Sequence, residues 1–470
     1  MSSLLFPGFD KPTERLALSL GGEQLSQREL VERAKQHLAG LSQAGLKPGD
    51  RVGVWTHPSI DTAIALSAQA AAGFVSIPLN PKLGPKERDH ILGDAKPDLV
   101  IEEALQADPN RHTPASWHMV SDHPALILYT SGTTGSPKGA LITSRNIAAN
   151  LDGLASAWDW THEDSIVHSL PLFHVHGLVL GLFGSLRRGG ALRWVPRFSP
   201  GGIADEIAIS GAILFAVPTM YYRLAEAAER DASIGHRLGK AKRLVSGSAG
   251  LPMREHQRIK ALTGLGVFER YGLTETLICC AVPASAGPRP GLVGPPVPSM
   301  ELRLVDERRR PTIPSDGTTI GEVAVRGPSV FAGYLGRPDA TAAVVSSDGW
   351  FFTGDLATRD QDGFVRHVGR RATDLIKTGG YKVGAGEVEA ALLDIAGVAE
   401  AAVVGRPDTD LGERIIAYVV PRATATLTED QLINSVASQL TPHKRPREIR
   451  FVEELPRNAM GKVQKKLLPT

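Results

Sequence analysis

The chain runs to 470 residues, longer than one ordinary hydrophobic core organises, so two or more domains are expected. Its 42% hydrophobic and 22% charged residues are those of a globular protein, and a formal net charge of +2 offers no concentrated basic face for nucleic acid. The first seven residues lack the basic and long apolar regions of a secretory leader, and the two cysteines, Cys279 and Cys280, are adjacent and cannot staple distant segments. A reducing, cytoplasmic setting is the expectation.

Residues 24–47 read as an amphipathic helix after Ser26, and strands are predicted at 51–55, 74–78 and 99–101 with helices between them. The uncharged stretch 62–79 has the length of a membrane span, but Ser67, Gln69, Gly73, Ser76 and Pro78 interrupt it. An Ala-rich buried helix ending near Gly73, followed by a short strand, fits better, so no membrane partner is expected. Apolar segments then flank the run Tyr129-Thr130-Ser131-Gly132-Thr133-Thr134-Gly135-Ser136-Pro137-Lys138-Gly139. Its small residues let backbone N–H groups wrap an anion, its hydroxyls add donors and Lys138 adds a charge. The run has no Gly-Lys-Ser/Thr at Walker spacing. It reads as a polyphosphate loop between two buried strands, although a flexible Gly/Ser/Thr hairpin has the same composition.

Further on, a helix at 144–158 leads to a strand at 165–168, another helix leads to 212–217, and strands follow at 243–246 and 267–270. That alternation predicts a doubly wound α/β fold. After about residue 300 the texture changes to short strands at 302–305, 321–326, 350–353 and 363–368, a β-rich closing subdomain. A smaller α+β unit follows, with helices at 385–393 and 428–439 and strands at 398–404 and 414–420. The expected organisation is a large N-terminal domain over 1–369 and a small mobile C-terminal domain over 370–470, hinged near 369–372.

Five segments, taken together and in order, resemble the adenylate-forming superfamily of acyl-CoA synthetases, luciferases and adenylation domains. They are the loop 129–139, Glu269-Arg270-Tyr271-Gly272-Leu273-Thr274-Glu275, Gly349-Trp350-Phe351-Phe352-Thr353-Gly354-Asp355, the stretch 369–377, and Pro456-Arg457-Asn458-Ala459-Met460-Gly461-Lys462. The resemblance implies that ATP, Mg²⁺ and coenzyme A take part. A carboxylate attacks the α-phosphorus of ATP, pyrophosphate leaves, and a thiol then attacks the acyl adenylate. Both first partners are anions, so positioning and charge neutralisation dominate catalysis.

Carried over position by position, the resemblance implies that Thr130, Ser131, Gly132, Thr133, Thr134, Gly135 and Lys138 hold the β- and γ-phosphates. Thr274 would bond the α-phosphate, and Glu275 would hold Mg²⁺, a hard cation suited to carboxylate oxygen. Tyr271 would lie against adenine, Asp355 and Arg370 would take the ribose, and Lys462 would reach in from the small domain as the catalytic lysine. Singly, Asp355 is also a turn residue, Glu275 a helix cap and Lys462 one more basic tail residue; their order selects the functional reading. In the second half-reaction the small domain rotates, and Gly379, Gly380, Tyr381 and Lys382 resemble the face that guides the pantetheine of CoA. Ala372 departs from the Asp or Lys common at the hinge.

The acid pocket is expected among segments 171–178, 217–221 and 243–249. His174 reads as a gate or substrate contact and His176 as structural; alternating on an expected strand with no third ligand, they make a poor zinc pair. Arg243 is expected to point into the pocket and meet a second carboxylate bidentately, with Ser246 beside the acid. The alternative is an arginine at a strand edge that reaches water or a structural glutamate. Segments 78–82, 171–190, 243–252, 370–389 and 441–447 together are similar to the malonyl-CoA synthetases, which implies malonate, and methylmalonate with it, as the acid. A ligase for another short acid and an adenylation enzyme that loads a carrier protein remain the alternatives. A monomer or weak dimer is expected.

Overall fold

Ser26 and Glu29 cap one another, the serine hydroxyl accepting from the Glu29 N–H and the carboxylate accepting from the Ser26 N–H, and this capping box starts the helix Gln27–Gln43. Residues 23–26 before it form the return strand of a hairpin with Leu16–Leu20, so the helix begins at 27 rather than 24. The computed structural model describes residues 4–108, 116–130, 137–311, 313–371, 374–422, 425–457 and 463–469, with Lys382 described by its backbone alone.

Among the described residues the strands form four sheets. The largest runs Leu277–Ala281, Val267–Leu273, Arg243–Ser246, Ile213–Ala216, Ser165–His168, Ala191–Trp194, Leu16–Leu20, Glu23–Ser26, parallel throughout its interior and antiparallel at both edges. The second runs Gly333–Tyr334, Lys138–Thr143, Pro124–Thr130, Val75–Leu79, Arg51–Trp55, Leu99–Ile101. Helix Ile60–Ala71 is buried at every position except Asp61, which accounts for the absence of charge in the rest of its sequence. Among the described residues, no helix is long and apolar enough to cross a membrane. Helix Ser144–Trp158 and the π-helix His176–Phe183 lie in the same core as strands of both sheets.

The strands Glu301–Val305, Gly321–Arg326, Phe351–Arg359 and Val365–Arg370 form an antiparallel sheet, the expected β-rich subdomain. The last five strands pair around Gly412–Pro421 and, with helices Ala385–Leu393 and Glu429–Gln439, enclose a separate apolar core that includes Ile376, Val388, Ile415 and Leu432. One expectation is corrected. Segment 171–178 is no strand; it turns into the π-helix, whose wide coil is common beside functional sites. Gly181 there leaves room for His168, since a Cβ would stand 2.1 Å from its Nε2.

Candidate active site

Antiparallel pairing sets the nucleotide-side residues. Strands Phe351–Arg359 and Val365–Arg370 place Asp355 opposite Arg370, and the Asp355 Oδ1 lies 3.0 Å from the Arg370 Nε. The Tyr271 hydroxyl donates to the other carboxylate oxygen at 2.7 Å, so all three residues expected at the nucleoside converge on one carboxylate. The Asp355 carboxylate is almost fully buried, and burial followed by its charge pushes the Tyr271 phenol well above its ordinary pKa. The tight turn between Val267–Leu273 and Leu277–Ala281 presents half-buried Thr274 and buried Glu275. Gly272 is required there, because a Cβ would stand 1.8 Å from the Leu277 carbonyl oxygen.

On the phosphate side, Thr130 ends one strand and Lys138 begins its antiparallel partner. Ser131, Gly132, Thr133, Thr134 and Gly135 lie outside the described residues. Helix Pro85–Ala95 anchors both sides of that loop: the Tyr129 hydroxyl donates to Asp94 at 2.8 Å, and His90 Nε2 stands 2.8 Å from the Pro137 carbonyl. Glu275 suits a hard divalent cation. Its Oε1 accepts from the Tyr334 hydroxyl at 2.7 Å, and its Oε2 carries no hydrogen bond among the described residues.

Beside segment 243–249, where the acid was expected, lies a buried charge that the sequence did not single out. Arg270 is 7% exposed, its Nε and Nη2 carry no hydrogen bond among the described residues, and burial pushes its pKa down to about 10. Its guanidinium lies against the Gly247 backbone, where a Cβ would stand 2.2 Å from the Arg270 Cζ. Ser246 next to that glycine is fully buried with an unpartnered hydroxyl, and His176 has both ring nitrogens unpartnered among the described residues. Burial, and then Arg270, holds the His176 pKa well below its usual value; burial alone pushes half-buried His174 down to about 4. Both imidazoles are therefore neutral at pH 7. Glu269 steadies this wall by accepting from Leu251 N–H at 3.1 Å and Gly291 N–H at 2.8 Å while facing His256 at 2.9 Å.

Arg243, expected to meet a second carboxylate, has a carbonyl partner in this structure. It begins the strand that Ser246 ends, so the two residues stand at opposite edges of the sheet, and ligands in parallel α/β sheets bind beyond the carboxyl edge. Its guanidinium donates to the carbonyl of Trp158, the last residue of helix Ser144–Trp158, and lies 4.9 Å from the Phe268 ring. A helix C-terminus attracts a cation, and Asp159 and Asp164 add negative charge there. The Phe215 ring contacts both Trp158, at 5.8 Å, and His176, at 5.6 Å.

In the small domain, Gly379 and Gly380 form the tip of the hairpin Leu375–Thr378 and Tyr381–Gly384, at φ of +56° and +80°. Tyr381 is 56% exposed and stacks on His443 at 4.1 Å; Lys382 pairs across the hairpin with Lys377. Lys462 lies outside the described residues, as does Ala372. The stem of the Lys462 segment is closed by pairing of Arg457 with Val463 and by the Gln464 N–H to the Pro456 carbonyl at 2.7 Å. Lys465 then ties that stem to Asp374 and Glu389, at 2.5 Å each, and Asp374 also accepts the Arg370 N–H at 2.7 Å. Contacts from Arg422 to the Tyr222 hydroxyl (2.6 Å) and from the Arg254 N–H to Asp394 (3.2 Å) dock the small domain on helices Pro218–Arg230 and Met253–Thr263.

Residues 9–335 match the family of AMP-binding enzymes, and residues 387–462 match the AMP-binding enzyme C-terminal domain. The chain is 39% identical over 518 residues to the mitochondrial malonate–CoA ligase of Homo sapiens, an alignment spanning 97% of this chain and 89% of that protein. It is 36% identical over 459 residues to a sulfoacetate–CoA ligase of Cupriavidus necator, spanning 90% and 87%. Among solved structures, ATP-bound MatB from Rhodopseudomonas palustris is similar at a TM-score of 0.88 and 34% identity, covering 99% of this chain and 98% of that one. A malonyl-CoA ligase ternary product complex with methylmalonyl-CoA and AMP bound is 48% identical, with a TM-score of 0.70, covering 96% and 100%.

Proposed function

This chain belongs to the AMP-binding enzyme family, an adenylate-forming acid–thiol ligase that uses ATP, Mg²⁺ and CoA, and from that premise we propose that its acid is malonate, with methylmalonate as a second substrate. The reaction is malonate, ATP and CoA to malonyl-CoA, AMP and diphosphate. The observation that carries the choice of acid is the guanidinium of Arg270, whose Nε and Nη2 are unpaired among the described residues. A buried cation without a partner is unfavourable by several kcal/mol, and a carboxylate restores the balance through paired charge-assisted bonds. A monocarboxylate has none to spare once its one carboxylate is committed to phosphorus. Malonate has a second, and neutral His176 and the Ser246 hydroxyl stand near to donate to it.

In this reading Lys138 and the loop before it bind the β- and γ-phosphates, Thr274 bonds the α-phosphate, and Tyr271, Asp355 and Arg370 hold the nucleoside. Glu275 holds Mg²⁺, which supplies neutralisation of phosphate charge. His174 borders the acid, and Lys462 stabilises the charge that grows between carboxylate and phosphorus. The large domain closes at 369, and rotation of the unit 370–470 then brings Gly379, Gly380, Tyr381 and Lys382 to the thiol arm. That rotation is supported by the solved structures: the more identical one, a product complex, superposes less well than the less identical ATP complex. A cytoplasmic setting is supported by two cysteines that are buried and unpaired.

Sulfoacetate also carries a second anion, and the relative that activates it makes it the competing acid. The test is thioester formation with ATP, Mg²⁺ and CoA, read by mass spectrometry with malonate, methylmalonate, sulfoacetate, acetate and butyrate in parallel. Malonyl-CoA is expected to dominate; a dominant sulfoacetyl or butyryl thioester overturns the assignment. Arg270→Met is expected to lower kcat/KM for malonate by about 100-fold more than for acetate, the loss of a charged hydrogen-bonded pair of about 3 kcal/mol.

A further inference from the structure

Tyr334 has no part in the roles assigned above, yet it touches two of the residues that carry them. The strand Gly333–Tyr334 adds itself to the edge of the second sheet, with Tyr334 opposite Ala140 and the Leu335 N–H donating to the Gly139 carbonyl at 2.8 Å. The ring therefore sits over the strand that leaves the phosphate loop, and the Lys138 ammonium lies 5.2 Å from its centroid. Its hydroxyl makes the 2.7 Å bond to Glu275 Oε1, while the Phe331 N–H three residues earlier donates to the Glu275 carbonyl at 2.8 Å. Phe331 packs edge-on against the same ring at 4.8 Å, and the Tyr334 N–H is held by the Thr341 hydroxyl at 2.9 Å.

We propose that Tyr334 is a positioning residue of the adenylation step, its hydroxyl orienting the Glu275 carboxylate toward the metal and its ring face holding the Lys138 ammonium toward the phosphates. The inference rests on the reading of Glu275 as the Mg²⁺ carboxylate and Lys138 as a phosphate ligand. Among the described residues the Glu275 side chain makes no other hydrogen bond, so Tyr334 is the polar contact that orients its carboxylate. The phenol is the donor in that bond, because an ionised carboxylate oxygen only accepts. One carboxylate oxygen is thereby occupied and the other is left for a cation. A free lysine carries about 2 kcal/mol of rotamer entropy, and an aromatic face that restrains it before the nucleotide arrives lessens what binding must remove. The backbone pairing of Gly333–Tyr334 uses neither the hydroxyl nor the ring, so Tyr334→Phe and Tyr334→Leu leave its hydrogen-bonding groups in place.

The test measures binding of Mn²⁺, standing for Mg²⁺, by electron paramagnetic resonance in the presence of an ATP analogue with a methylene bridge between the α- and β-phosphorus. Wild type, Tyr334→Phe, Tyr334→Leu and Glu275→Gln are compared. Tyr334→Phe, which keeps the ring and loses the hydroxyl, is expected to weaken Mn²⁺ about 5–10-fold with the analogue affinity little changed. Tyr334→Leu is expected to lose about 3-fold in analogue affinity as well, so that the phenylalanine variant restores it. The malonate KM is expected to stay within about twofold of wild type in Tyr334→Phe, since no acid-side group touches that hydroxyl. Wild-type Mn²⁺ affinity in Tyr334→Phe alongside its loss in Glu275→Gln overturns the inference and leaves the Glu275 reading intact. Undiminished Mn²⁺ affinity in Glu275→Gln overturns that reading, and the inference falls with it.

Discussion

A guanidinium taken out of water needs an anion or a carbonyl, and Arg243 and Arg270 meet that demand differently. Arg243 has the Trp158 carbonyl and a helix end, with its Nε left without a hydrogen bond among the described residues. Arg270 has two nitrogens without a bond among the described residues. Replacing Arg243 by Met is therefore expected to lower stability by about 1–3 kcal/mol in urea unfolding while the preference for malonate over acetate stays as in wild type. A collapse of that preference would return Arg243 to the pocket. The expectation for Arg243 has a plain source. An arginine at the start of an apolar strand is visible in sequence, but which end of the strand faces the ligand depends on the sheet, and only the parallel pairing of 213–216, 243–246 and 267–273 decides it. Arg270 had a signal of its own: it is a lone cation inside the strand that ends at Leu273.

At the scale of elements, strands 51–55, 99–101, 165–168, 243–246 and 321–326 and helices 144–158 and 385–393 stand where hydrophobic period and turn residues put them. Those are elements whose local pattern and tertiary burial agree. The failures are elements whose form is set from outside. Residues 23–26 carry a helix-like pattern, yet their backbone pairs with 16–20, and the two-residue strand 333–334 is too short to show any period. The π-helix 176–183 is apolar all round, so periodicity says nothing about its pitch. The turn after 273 was legible as a motif, and Gly272 shows why the motif contains a glycine. Gly272→Ala is expected to force that hairpin open, displacing Thr274 and Glu275, so that Tm falls by several degrees and ATP–pyrophosphate exchange drops below about 1% of wild type. Retained exchange at a lowered Tm would show that the turn tolerates the shift.

For the whole molecule, the buried histidines make stability depend on acidity. Burial holds the pKa of His37 at about 4 and of His168 at about 3, against about 6.5 in an unfolded chain. Between those values the unfolded chain binds more protons than the folded one, so stability rises with pH up to about 6.5 and levels above it. Urea midpoints measured from pH 8 down to pH 5 are expected to fall only below about 6.5, by at most about 1.4 kcal/mol per pH unit per histidine. A flat profile to pH 5 would contradict the buried neutral state. The three-way contact of Lys465 with Asp374 and Glu389 has a consequence for how this chain can change over evolutionary time. It joins the tail, the hinge and a helix through charges that are largely shielded from water. Losing Lys465 strands both carboxylates, and losing both carboxylates strands Lys465, a deficit of about 3–5 kcal/mol for a shielded pair, whereas exchanging all three for apolar groups is close to neutral. Between those two sequences every single-step route passes through a weakened protein, so drift can reach the alternative only after stability has been gained elsewhere.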